Sequence, residues 1–311
     1  MSEQQPLIKI VKGKKFYLKL TKPQRIQHFI LMVTFIVCVA TGMPLKYYYY
    51  PWAKTLMDAL GGVMATAYIH RASGIIMVAG FIDHLCYAYR QINKFYVRPA
   101  KAAREFSIMG LITFVYYSPT FPRIKDGVDM KNMMRYYLFL TDKHPRHERF
   151  YWREKLDYLA VFWGTNVLGF TALILLKKGF FLQFLGGWGM SAVTIAHSFE
   201  ALLATADIIV WHMYNAHVNY DKMPASPLFL TGYQPEHIMK HEYILEWKRI
   251  NELVKNDPSL MFDQDEYDKH EEERQLKQYE DTKAYMATMA AAVDNERAYQ
   301  SGHGHDDHDG H

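Results

Sequence analysis

The residues most able to do chemistry are histidines placed inside apolar stretches. His70 and His84 stand 14 residues apart, and His197 and His212 stand 15 apart. On an α-helix these spacings correspond to roughly 21 Å of rise with about 40° of rotation, and roughly 22 Å with about 60°. Each helix would then carry two imidazoles on nearly one face, one towards each end. A histidine in a membrane span is costly unless it is paired or ligated. Facing imidazoles at matched depths fit an iron porphyrin held by two axial histidines, and bundle cores are where such cofactors sit. A compact metal site would need its ligands clustered rather than about 20 Å apart. His28 and His217 lie at the ends of apolar stretches. They are candidates for a third haem, for quinone binding or for proton transfer. The haem-ligand candidates are therefore His70, His197, His84, His212, His28 and His217, with haem b as cofactor, two expected and three if all six ligate.

The elements that hold these residues are apolar segments. The chain has 311 residues, of which half are hydrophobic, and its polar residues gather towards the end. About 20 apolar residues span a bilayer. Spans are expected at about 26–45, 63–89, 156–176 and 190–218, the last holding the histidine-rich stretch Val193–Tyr220. Gly42 and Pro44 are expected to end the first span, with YYYYPW after it as an aromatic belt. Lys177 and Lys178 are expected to end the third span, and the glycine-rich stretch GFFLQFLGGWG, residues 179–189, reads as a loop. The sequence thus predicts an all-α membrane protein: a four-transmembrane-helix haem-binding bundle over 26–220, with a polar, partly helical or disordered C-terminal tail over 221–311.

Residues 1–25 form a basic N-terminal segment. The long connection 90–155 carries fourteen Lys or Arg against six Asp or Glu. Its FSIMGLITFVYY piece is too short to span and is expected in the interface or as a local helix. The positive-inside rule puts the N-terminus, this loop and the C-terminus in the cytoplasm; a bacterial or archaeal inner membrane is the expected location. The N-terminus lacks a signal-peptide core, so insertion through the first span is expected. Cys38 and Cys86 lie in apolar runs and form no c-type haem motif. A net charge of +4 with no basic, aromatic-laced stripe gives no sign of nucleic-acid binding. The ending HGHDDHDGH is expected to be a solvated tail with at most weak metal affinity.

Supporting roles fall to charged and small residues. Arg25 and Arg71 are candidates for pairing with haem propionates, as is Arg90, although anchoring serves Arg25 and Arg90 equally well. Glu200 and Asp207 are candidates for hydrogen bonding to ligand imidazoles or for proton uptake, with Asp83 a weaker candidate. Gly74, Gly80, Gly164 and Gly169 would admit a macrocycle or a neighbouring helix. Phe162, Trp163, Trp211 and Tyr214 are expected mainly as aromatic packing.

The segments RIQHFILMVTFIVCVATGMPLKY, YIHRASGIIMVAGFIDHLCYAYR, YWREKLDYLAVFWGTNVLGFTALILL and IAHSFEALLATADIIVWHMYNAH resemble, in that order, the four-helix membrane cytochrome b subunits. The likeness is to the gamma subunit of membrane formate dehydrogenases and to cytochrome b partners of multihaem cytochromes c. It covers about residues 22–232. It implies electron transfer between menaquinone or ubiquinone in the lipid and a partner redox subunit, either an iron–sulfur protein or a multihaem cytochrome c. It also implies an outer haem on His70 and His197 and an inner haem on His28 and His212. Matched depth on the second and fourth spans favours His84 as the partner of His212 instead. The competing function class is a membrane transporter that passes protons or metal ions along intramembrane His, Asp and Glu.

Overall fold

The computed structural model describes residues 5–219, 222–223 and 225–263. The HGHDDHDGH ending and the charged segment 267–300 lie outside the described residues, so the tail expected over 221–311 is described only in its first half.

The chain opens with a hairpin, β1 (Ile8–Val11) and β2 (Lys14–Leu18), whose two-residue turn holds Lys12 and Gly13 at φ 51° and 69°. Positive φ at both turn residues matches the right-handed twist of the strands. The first long helix, α1 (Lys22–Lys46), follows at once. Gln24 reaches back to accept the Thr21 N–H at 2.9 Å, and proline in the first turn suits a position that needs no N–H donor. Gly42 and Pro44 do not stop this helix, which runs on to Lys46. Next come α2 (Pro51–Ala59) and the second long helix α3 (Gly62–Ile92). A π-helical turn over Asn93–Val97 carries α3 into α4 (Arg98–Ala102). The long connection then holds α5 (Ile108–Tyr116), which is the FSIMGLITFVYY segment, and α6 (Ile124–Tyr137).

The third long helix is α7 (Trp152–Leu176). The fourth, α8 (Lys178–Ala206), takes in the whole stretch expected as a loop and turns sharply at Gly186, with φ 61° and ψ −177°. That backbone conformation is open to glycine alone. Beyond Ala206 the fourth helix widens into two π-helical segments, Asp207–His212 and Tyr214–Val218. After it come α9 (Leu228–Thr231), β3 (Tyr233–Pro235), α10 (Glu236–Glu242), α11 (Ile244–Asn256) and β4 (Met261–Asp263).

Four helices, Lys22–Lys46, Gly62–Ala102, Trp152–Leu176 and Lys178–Val218, are long and apolar enough to cross a membrane. This is the build of a multi-pass membrane protein. On α1 the residues Ile26, Phe29, Val33 and Ile36 point outward at helical spacing, while Thr34, Thr41 and Pro44 are buried. Large apolar groups face the lipid position and small residues face the neighbouring helix, the arrangement expected where lipid is the solvent. The bundle is two hairpins: α1 packs along α3 and α7 along α8, and contact across the seam between the hairpins is sparse.

The fold is mostly helical rather than all-α. The hairpin joins two strands from the far end of the described chain in a sheet of order β3-β2-β1-β4, with β1–β4 parallel and the other pairs antiparallel. Ile8, Tyr17, Tyr151, Ile238, Met239, Tyr243 and Ile250 form its core. Lys19 is buried there, donating to Glu154 at 2.6 Å with its ammonium over the Tyr243 ring. Burial pushes the Lys19 ammonium down to about 8, against the pull of Glu154. The module therefore grips the first turn of α7 and fixes how that helix enters the bundle.

Candidate functional site

Two histidine pairs meet across the seam between the hairpins. His70 on α3 and His197 on α8 have ring centres 6.4 Å apart. His28 on α1 and His212 in the π-helical end of the fourth helix have ring centres 6.2 Å apart. A metal–imidazole bond is about 2.0–2.1 Å, and a ring centre lies about 1.1 Å beyond its nitrogen. Two opposed imidazoles on one iron would therefore sit roughly 6.3 Å apart, centre to centre.

The hydrogen bonds around three of these four rings fix which nitrogen is free. The Cys38 carbonyl accepts from His70 Nδ1 at 3.1 Å, and Thr41 Oγ1 lies 3.0 Å from the same nitrogen. Thr41 already donates to the Val37 carbonyl at 2.6 Å, so its oxygen can only accept from the ring. Thr171 repeats the device on α7: it donates to the Val167 carbonyl at 2.6 Å and accepts from His197 Nδ1 at 2.9 Å. Asp157 Oδ2 accepts from His212 Nδ1 at 3.1 Å. Holding Nδ1–H leaves Nε2 unprotonated and available to a metal. The Nδ1 of His28 has no hydrogen-bond partner.

His84 and His217 stand differently. Gln27 Oε1 accepts from His84 Nδ1 at 3.0 Å, and the Tyr158 hydroxyl donates to its Nε2 at 3.0 Å. Both nitrogens are thus taken, and His84 does not face His212. His217 packs edge-on against Phe229 with ring centres 5.4 Å apart. Matched depth pointed to His84, but its ring is held between Gln27 and Tyr158, and the His28 ring is the one beside His212.

The supporting candidates divide in the same way. Arg25 donates to the Leu230 carbonyl, Arg71 lies beside the Tyr68 ring, and Arg90 pairs with Asp83 at 3.6 Å. Glu200 does not reach His197. Its carboxylate lies over Gly164, where an added Cβ would come within 3.0 Å of Oε1. Asp207 lies within electrostatic reach of Asp157 and His212. Gly80 and Gly169 serve close helix packing against Ile30 and Val78, whereas a Cβ at Gly74, one turn past His70, would meet nothing within 4 Å. Phe162 packs on Phe81, and Trp211 on Trp152. Thr41, Thr171 and Asp157 escaped the sequence reasoning. Asp157 was detectable as an acid one residue inside the expected third span.

These features fit a bis-histidine haem at each pair. The ring separations match two iron–nitrogen bonds, and Nε2 is left free on His70, His197 and His212. Among the described residues no group of three His, Cys, Asp or Glu is arranged to hold a metal ion by itself.

A second polar cluster lies outside the spans. A cavity of about 160 Å³ is lined by His144, His147, Tyr151, Arg153, His241 and Glu242, among others. His147 is buried, neither of its nitrogens has a hydrogen-bond partner, and burial pulls its imidazole down to about 4. Arg153 donates to Asn215 Oδ1 at 2.7 Å, linking this cluster to the segment that carries His212.

No protein-family model and no curated protein sequence matches the chain.

Proposed function

We propose that the chain is the membrane-embedded electron-transfer subunit of a respiratory redox complex, a four-helix cytochrome b with two haems b. His70 and His197 would hold one haem, and His28 and His212 the other. The observation that carries this proposal is the pair of imidazole couples facing each other across the seam at 6.4 and 6.2 Å. The order of histidine-bearing segments, which resembles the cytochrome b subunits, supports it further. Haem, when bound, supplies one-electron exchange at its iron. The chain's own residues supply the four imidazoles, and Thr41, Thr171 and Asp157 orient three of them. His84 and His217 belong to neither couple, which favours two haems over three.

In this proposal the lipid-side exchange partner is a quinone, menaquinone or ubiquinone. The other partner is an iron–sulfur or multihaem cytochrome c subunit at the surface of a bacterial or archaeal inner membrane. Difference spectra of the purified, detergent-solubilised chain test it. The dithionite-reduced protein should show the α band of a b-type cytochrome, with about two haems per polypeptide. Alanine at His70, His197, His28 or His212 should each remove one. Absence of the band from freshly prepared membranes containing the intact chain would overturn the proposal.

A further inference from the structure

The two couples differ in the groups that accept from their imidazoles. Around His70 and His197 the imidazole N–H groups meet neutral oxygens: the Cys38 carbonyl, Thr41 and Thr171. Cations stand close by. Lys46 Nζ donates to Ser198 Oγ at 2.8 Å, beside His197, and lies 4.7 Å from the Phe199 ring centre. Arg71 follows His70 directly and acts on it electrostatically. Around His28 and His212 the acceptor is a carboxylate, Asp157, and a second carboxylate, Asp207, is within reach of both Asp157 and His212. Arg25 and Arg153 also stand near this couple, but they donate to neutral groups, the Leu230 carbonyl and Asn215, rather than to Asp157.

A carboxylate acceptor makes an imidazole a more basic ligand than a hydroxyl or carbonyl does. A more basic ligand and nearby negative charge favour ferric iron, and nearby positive charge favours ferrous iron. Both effects are strong where the dielectric is low. We propose that Asp157 is a positioning residue that sets the reduction potential of the His28–His212 centre below that of the His70–His197 centre. The ordering makes the His70–His197 end the resting place of the first electron to enter, whichever redox partner delivers it. Each centre takes up one electron at iron, and no bond is made or broken. This inference rests on the haem assignment above.

The test is a spectroelectrochemical titration of the full chain in detergent, as wild type, Asp157→Asn and Thr171→Val. Wild type should show two components. In Asp157→Asn the lower one should rise by about 59 mV or more, a tenfold change for a one-electron couple, while the upper one holds. Thr171→Val should move only the upper component. If Asp157→Asn keeps both haems and both potentials, the proposal is wrong. If the variant loses one haem, the identity of the missing component decides: loss of the lower one supports the assignment and loss of the upper one overturns it. Wild-type protein without any b-type band would instead sink the haem assignment itself.

Discussion

The His70 ring lies against the backbone of α1 at Gly42, where an added Cβ would come within 2.9 Å of its Cε1. Real Cβ atoms do not approach that closely, so a side chain there must push the imidazole aside. Gly42→Val should therefore lower the haem held at His70 and His197 while leaving the His28–His212 centre loaded, as haem per polypeptide and the two-component titration would show. His84 supplies the opposite expectation. Its ring is committed to Gln27 and Tyr158. Gln is polar and of similar reach, so His84→Gln should retain both haems. Loss of a haem in that variant would move the second centre onto His84 and undo the pairing of His28 with His212.

At the scale of elements, the fourth helix is shaped by two departures from α-geometry. Gly186 holds φ 61° and ψ −177°, and its neighbour Gly187 is helical, with open space around it. Alanine at position 186 should cost about 1–3 kcal/mol through backbone strain. Alanine at position 187 should be neutral or add up to about 1 kcal/mol, since alanine is the better helix former. Opposite shifts in thermal midpoint for two adjacent glycines would be the signature. The other departure, the π-helical run from Asp207, shows why the spans were more legible than the pairings. Long apolar runs such as IQHFILMVTFIVCV report directly on the bilayer, and the ends of the first and third spans moved only by a few residues, whereas the fourth helix begins twelve residues earlier than expected. Which imidazole meets His212 depends on rotation within a π-helical turn that no residue pattern announces. The small sheet was equally hidden. Its strands are three to five residues long, and two of them come from what looked like a charged tail. Glycine and proline near the end of α1 misled in the other direction, because a helix packed in a bundle can keep both.

For the molecule as a whole, the extramembrane module should govern stability against acid. It ties the N-terminal hairpin, the connection before α7 and the last described helices into one core. His147 sits buried within it as a neutral imidazole, with Asp129, His144, Lys125 and Arg153 as the charged and titratable groups acting on it. Burial outweighs the attraction of Asp129, whose carboxylate is 3.9 Å from Nδ1, and holds the folded imidazole at about 4 against the ordinary value of 6.5. The unfolded chain therefore binds a proton at His147 that the folded chain refuses. The stability contributed by the neutral ring is complete above pH about 6.5, falls as the pH drops through the window down to about 4, and levels off below it. A shift of that size corresponds to about 3 kcal/mol at most. Gln at this position stays polar but does not titrate, so His147→Gln should flatten part of the acid-side fall in apparent melting temperature between pH 6.5 and 4. The grip of the module on Glu154, through Lys19 and Tyr243 at 2.6 and 3.0 Å, lies one turn before Asp157 on α7. Acid loosening of the module should thus reach the His28–His212 centre before the His70–His197 centre at the other end of the seam. Following the two b-type components separately while the pH is lowered checks this: simultaneous loss of both would show that the module and the bundle come apart as one unit.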